Sequence, residues 1–218
     1  MKKLLFVLVS LFIFIEVNAT HIMGGEITWE CIKDPADPNV GNYIFTMKLY
    51  RDCDGTTLST FAQTIDVWDH PTVTQISVDF VSSADISPNC DVANSGNPAL
   101  DCASNPVGAV EEYIYVSQPV SLPGIPPVNG WHFTWDNCCR NGAISNLVIV
   151  NPTNPGEGFT LRASMFPYLD AFGNPIPSDP CFDSSPKFNE SPQTIICTGY
   201  PFSYTHNASD IELDSIVY

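Results

Sequence analysis

From Glu26 onward, apolar and polar residues alternate with a period of two, the mark of strands with one face buried and one wet. "GEITWECI" sets Ile27, Trp29 and Cys31 on one side. "YIFTMKLY" does the same with Tyr43, Phe45, Met47 and Leu49 against Thr46 and Lys48. "GWHFTWD" places Trp131, Phe133 and Trp135 opposite His132, Thr134 and Asp136. "GFTLRASM" opposes Phe159, Leu161, Ala163 and Met165 to Thr160, Arg162 and Ser164. "QTIDVWD", "TQISVDFV", "VEEYIYVS", "SNLVIV", "QTIICT" and "FSYTHNAS" extend the series, all rich in the β-branched and aromatic residues that strands favour. Clusters of Pro, Gly, Asn and Asp separate these runs, and 19 prolines leave little room for long helices. Many short strands joined by such turns predict an all-β chain organised as a β-sandwich.

The proline- and serine-rich run over 175–192, from "PIPSDPCF" to "KFNESP", marks the expected boundary. The reading is a signal segment over 1–19, a β-sandwich over 20–180, and over 181–218 a linker with the first strands of a second β module. "DSIVY" reads as a strand, so further β modules of the same chain are expected beyond it.

The first 19 residues carry two lysines, an apolar run over 4–15 and the small-residue step Val17-Asn18-Ala19, the layout of a cleaved secretory signal. The apolar run is shorter than the roughly 20 residues of a membrane-spanning helix. No membrane span is expected after cleavage. Removing the signal takes away Lys2, Lys3 and Glu16, which moves the formal charge from −16 to −17. Such a surface repels phosphate backbones and anionic lipid heads, and this excludes nucleic acid as a partner.

Eight cysteines, Cys31, Cys53, Cys90, Cys102, Cys138, Cys139, Cys181 and Cys197, all lie in the exported part. An even count in an oxidising compartment favours disulfides, with 105 connectivities open. Cys138 and Cys139 are neighbours. Adjacent Cα atoms lie about 3.8 Å apart, closer than the roughly 4.4–6.8 Å of a relaxed bridge, so each is expected to bond elsewhere. By proximity, Cys90 and Cys102 look like partners across a turn-rich loop.

"HIMGGEITWEC", "YIFTMKLYRDCDG", "VEEYIYVSQPVSLP", "GWHFTWDNCCRNGAISNL" and "PKFNESPQTIICTGYPFSYTHNASD" occur in this order from His21 to the end. Together they resemble the amino-terminal region of large Bacteroidota cell-surface proteins with gliding-motility-type sorting domains, exported by the type IX route. The resemblance implies immunoglobulin-like β modules in an adhesin or matrix protein. The tail "PFSYTHNASDIELDSIVY" is similar to the opening of a cadherin-like module. Asp210, Glu212 and Asp214 stand where that module collects calcium, although Glu212 and Leu213 replace its usual Asp and Gly.

Candidate chemistry is sparse. Asp210, Glu212 and Asp214 alternate, so on a strand they share a face and offer hard oxygen ligands to Ca²⁺. Asp52 and Asp54 in "RDCDG" offer a thinner set, with Gly55 expected to supply a positive φ for the turn. His21, His70, His132 and His206 are scattered, and Glu111 and Glu112, adjacent on a strand, point to opposite faces. No G-x-S-x-G or H-E-x-x-H motif is present. Trp131 and Trp135 alternate into the core, whereas Trp68 falls on a polar face and is the candidate ligand contact. The sequence therefore predicts a non-enzymatic, secreted or cell-surface adhesion module meeting extracellular protein or glycan surfaces. The alternatives are carbohydrate binding through exposed aromatics and, last, a secreted hydrolase.

Overall fold

A computed structural model describes residues 22–88, 99–137, 158–176, 181, 183–190, 201, 203–205, 207–213 and 216. Among them there is no helix. Seven strands build the body: β1 (Ile22–Cys31), β2 (Tyr43–Asp52), β3 (Gln63–Trp68), β4 (Gln75–Asp85), β5 (Val110–Ser117), β6 (Trp131–Asn137) and β7 (Phe159–Met165). Every pairing is antiparallel and the order is β1-β2-β5-β4-β3-β6-β7. Read from the two ends, β1-β2-β5-β4 and β3-β6-β7 reproduce the two layers of a constant-type immunoglobulin sandwich. The β3–β4 hairpin joins the layers into one folded sheet. Two short pairs, β8 (Tyr168–Leu169) with β9 (Pro175–Ile176) and β10 (Lys187–Phe188) with β11 (Ala208–Ser209), complete the described elements.

The period-two reading places the core residue by residue. Tyr43, Phe45, Met47 and Leu49 of β2 are buried, as are Ile27 and Trp29 of β1 and Trp131, Phe133 and Trp135 of β6. The layers meet through rings: Phe45 and Phe133 lie 4.8 Å apart and Trp29 lies 5.5 Å from Phe133. Both spacings fall in the range where tilted aromatic pairs attract. Gly25 lets β1 approach the far layer, because a Cβ there would stand 2.9 Å from Leu161 Cδ1 on β7. A β-bulge between Phe80 and Ser82 breaks the inward alternation of β4 and leaves Val81 in solvent.

Among the described residues, each pole of the sandwich carries one bridge. Cys31, ending β1, is bonded to Cys181 with Cα atoms 6.0 Å apart, and Cys53, just past β2, is bonded to Cys102 at 5.0 Å. The expected Cys90–Cys102 pairing is thereby corrected. Strand order, not sequence distance, decides: β2 pairs with β5 while Asp85 at the end of β4 holds the Cys102 N–H at 2.7 Å, so Cys102 is delivered to Cys53. Cys90, Cys138, Cys139 and Cys197 lie outside the described residues.

Arg51 organises the Cys53 pole. It is 5% exposed and holds Glu111 through Nε at 2.8 Å and Nη2 at 2.6 Å. Its Nη1 donates to the carbonyls of Gly55 at 2.9 Å and Asp52 at 3.1 Å. The guanidinium thus winds "RDCDG" into its turn. Gly55 is not among the glycines with positive φ, which corrects that expectation. Asp52 accepts the Asp54 N–H at 3.0 Å, so it serves the turn. Glu112 points the other way, toward Lys48 at 3.7 Å, so the two adjacent glutamates occupy opposite faces.

Arg51→Ala is expected to lower unfolding free energy by about 3–5 kcal/mol, because it strands a mostly buried carboxylate and two carbonyls. Lys187→Ala, which removes the exposed pair with Glu30, should cost about 0–1 kcal/mol. Urea unfolding of the oxidised protein measures both, and equal costs would contradict the role given to Arg51.

Candidate functional site

The outward residues of β3, β6 and β7 form a flat polar face, because each strand sends its alternate residues into the core. Register aligns them in rows: Trp68 beside His132 beside Ser164, and Asp66 beside Thr134 beside Arg162. Trp68 is 55% exposed, as its polar neighbours predict. Its Nε1 donates to Thr134 Oγ1 at 2.8 Å, which ties the indole back across β6 and leaves ring surface to solvent. His132 Nδ1 meets Ser164 Oγ at 2.7 Å and its Nε2 lies 3.6 Å from Asp69 Oδ2. Gln75 Nε2 donates to Asp66 Oδ1 at 3.0 Å, and Thr160 donates to Asp136.

These side chains restrain one another, so the face presents donors and acceptors at fixed places around one aromatic platform. Asp69 extends it with a φ of 67°, in the left-handed region that Asp tolerates better than most residues. Arg162 is singular. Lys33, Lys48, Arg51 and Lys187 each pair with a carboxylate, and among the described residues Arg162 is the one Lys or Arg that makes no ion pair. Ser164, His132 and Asp69 do not form a proton relay here. The 3.6 Å separation exceeds a direct hydrogen bond, and Nδ1 instead of Nε2 faces the serine.

The calcium candidates behave differently. Asp210 and Glu212 converge with Asp183, and one oxygen from each lies within 4.8 Å of the others; Asp214 lies outside the described residues. The sequence reading missed Asp183 because it sits 27 positions before Asp210 and enters the cluster only through packing on β1. Glu212 already bonds the Lys33 ammonium and accepts from the Ser184 N–H at 3.3 Å and Ser184 Oγ at 3.2 Å. Burial alone would raise its pKa, but Lys33 and Ser184 outweigh that and hold it below the usual carboxylate range. As built, Glu212 clasps the Lys33 ammonium, and a calcium ion taken up by the cluster would compete with Lys33 for that carboxylate.

That clasp lies along the exposed edge of the sheet. Ser185 Oγ accepts the Trp29 N–H at 2.8 Å and the Ser185 N–H donates to the Trp29 carbonyl at 2.9 Å. Ser184 Oγ accepts the Cys31 N–H at 3.2 Å. With the Cys31–Cys181 bridge, these contacts satisfy backbone groups that an edge strand otherwise offers to another chain.

Among the described residues no helix is long and apolar enough to cross a membrane. The disulfides suit an oxidising compartment. No family model, no curated protein and no solved structure matches this chain.

Because the folded pKa of Glu212 is depressed, its contribution is present above the unfolded value near 4.5 and is lost as pH falls through the folded one. For this partly exposed pair, about 0.5–1 kcal/mol should disappear on acidification in wild type and less in Lys33→Ala, where only the Ser184 hydrogen bonds remain. Thermal melts across pH 3–7 check this. Added calcium should leave the wild-type melting temperature unchanged, whereas a marked rise would assign the carboxylates to the metal.

Proposed function

We propose that this chain is an exported, non-enzymatic adhesion module of a cell-surface or matrix protein, and that the β3–β6–β7 face is its contact surface for neutral carbohydrate. The single observation that carries the reading is Trp68, half exposed and tied down by Thr134 within a field of ordered polar groups. An indole offers the apolar face of a sugar ring a matching surface while its edge stays polar. Ser164, His132 and Arg162 offer hydrogen bonds to hydroxyls, and Asp66 and Asp136 accept them. With Asp66, Asp69 and Asp136 on or beside the face and a formal charge of −16 overall, a neutral saccharide is favoured over an anionic one.

Resemblance to the amino-terminal region of Bacteroidota gliding-motility-type surface proteins supports an extracellular setting. So does the pair of bridges at opposite poles, which suits a module working outside the cell. In that setting further β modules of the same chain would follow, and export would use the type IX route.

Binding of the oxidised protein to an array of neutral glycans tests the proposal. Trp68→Ala, with its fold checked by circular dichroism, should weaken binding at least about tenfold, or roughly 1.4 kcal/mol. An array without binding, or a variant that binds like wild type, would remove the carbohydrate reading.

A further inference from the structure

Trp68 and Asp69 enter the turn between β3 and β4, and the next residue, His70, goes inward instead of outward. The imidazole is 8% exposed, with its ring centroid 4.4 Å from that of buried Trp131. Its Nδ1 accepts the backbone N–H groups of Thr72 at 3.2 Å and Val73 at 2.9 Å. The Val67 N–H donates to the Thr74 carbonyl at 2.8 Å and closes the turn from the other side. The turn is therefore wound around one side chain. Pro71 has no N–H to contribute and restricts His70 to extended backbone.

We infer that His70 is the positioning residue of the Trp68 face: its neutral imidazole holds the β3–β4 turn in the conformation that presents Trp68 and Asp69, and protonation of the ring releases it. The inference rests on the reading of Trp68 as the contact residue for its functional meaning, though not for its physics.

Two donors converging on Nδ1 require a lone pair there, so the ring proton sits on Nε2. A second proton can go only to Nδ1, where it would face two N–H groups and abolish both bonds. Among the described residues, no compensating charge lies nearby on the packed elements. Loop 118–130, which brings Pro123 against the ring, contains no ionisable side chain. On the turn, Asp69 directs its carboxylate to His132 on the outer face, and on β6 the ring contact is Trp131. Nε2 is buried without a hydrogen bond of good geometry, so no well-placed acceptor on that side stabilises the imidazolium. Consistently, burial lowers the His70 pKa from the usual 6.5, with the Pro123 backbone pulling weakly the other way.

The sign follows from linkage. The open turn binds a proton below about pH 6.5 and the closed turn resists it, so the closed form is fully favoured above that value and loses ground as pH falls.

Amide hydrogen exchange by NMR tests the inference. From pH 7.5 to 5.0 the protection factors of Thr72 and Val73 should fall at least about tenfold in wild type. In His70→Asn, whose amide oxygen accepts without titrating, they should stay level, and in His70→Ala they should be low at both values. Imidazole ¹⁵N shifts of wild type, which need no variant, should report the Nε2–H tautomer at pH 7.5. Level wild-type protection, an Nδ1–H tautomer, or an equal acid loss in His70→Asn would overturn it. Protection lost in acid without glycan binding at either pH would uphold His70 as the positioning residue while removing the carbohydrate reading. Glycan binding that persists at pH 5.0 with protection unchanged would do the reverse.

Discussion

The fold depends on burying the inward face of β2 against β6. Phe45, Met47 and Leu49 are almost wholly removed from water, and Phe45 meets Phe133 at 4.8 Å across the sandwich. Each such side chain contributes about 1.5–3 kcal/mol when fully buried. Because β2 pairs with β1 on one side and β5 on the other, this seam also fixes which strands lie together. Once β6 has turned Trp131, Phe133 and Trp135 inward, His132, Thr134 and Asp136 have no choice but to face solvent. The polar face carrying Trp68 is the reverse side of the core.

Polar groups then decide how the ends of the sandwich are closed. Arg51 satisfies the Asp52 and Gly55 carbonyls and a carboxylate at one pole, and Ser184 and Ser185 satisfy the edge of β1 near the other. An open edge on a chain with so many β-prone runs would invite pairing with a second chain. The segment that covers it is joined by Cys31–Cys181, which links positions 150 residues apart. The β3–β4 turn is closed from within by one imidazole, which accepts the Thr72 and Val73 N–H groups.

How much of this the sequence displays follows the range of the interactions. Alternation is local, so the inward sets of β1, β2, β6 and β7 could be named from the chain, as could the split between core Trp131 and Trp135 and exposed Trp68. Glu111 and Glu112 were separable for the same reason. Pairings made by topology were not legible. Cys102 bonds Cys53, not its neighbour in sequence, because β2 lies beside β5. Asp183 joins Asp210 and Glu212 only after the segment docks on β1. His70 looked like one of four scattered histidines, since nothing in "WDHPTV" reveals that the ring turns inward to accept its own turn's N–H groups. Ser184 and Ser185 carried no periodic signal at all.

The strand order is the claim on which the account rests, and bridge connectivity tests it most directly. Peptide mapping by mass spectrometry of the native protein, alkylated and digested without reduction, should recover peptides joined through Cys53–Cys102 and through Cys31–Cys181. Recovery of Cys102 joined to Cys90, or of Cys31 and Cys181 as alkylated free thiols, would contradict the arrangement of β1, β2 and β5 from which the rest is built.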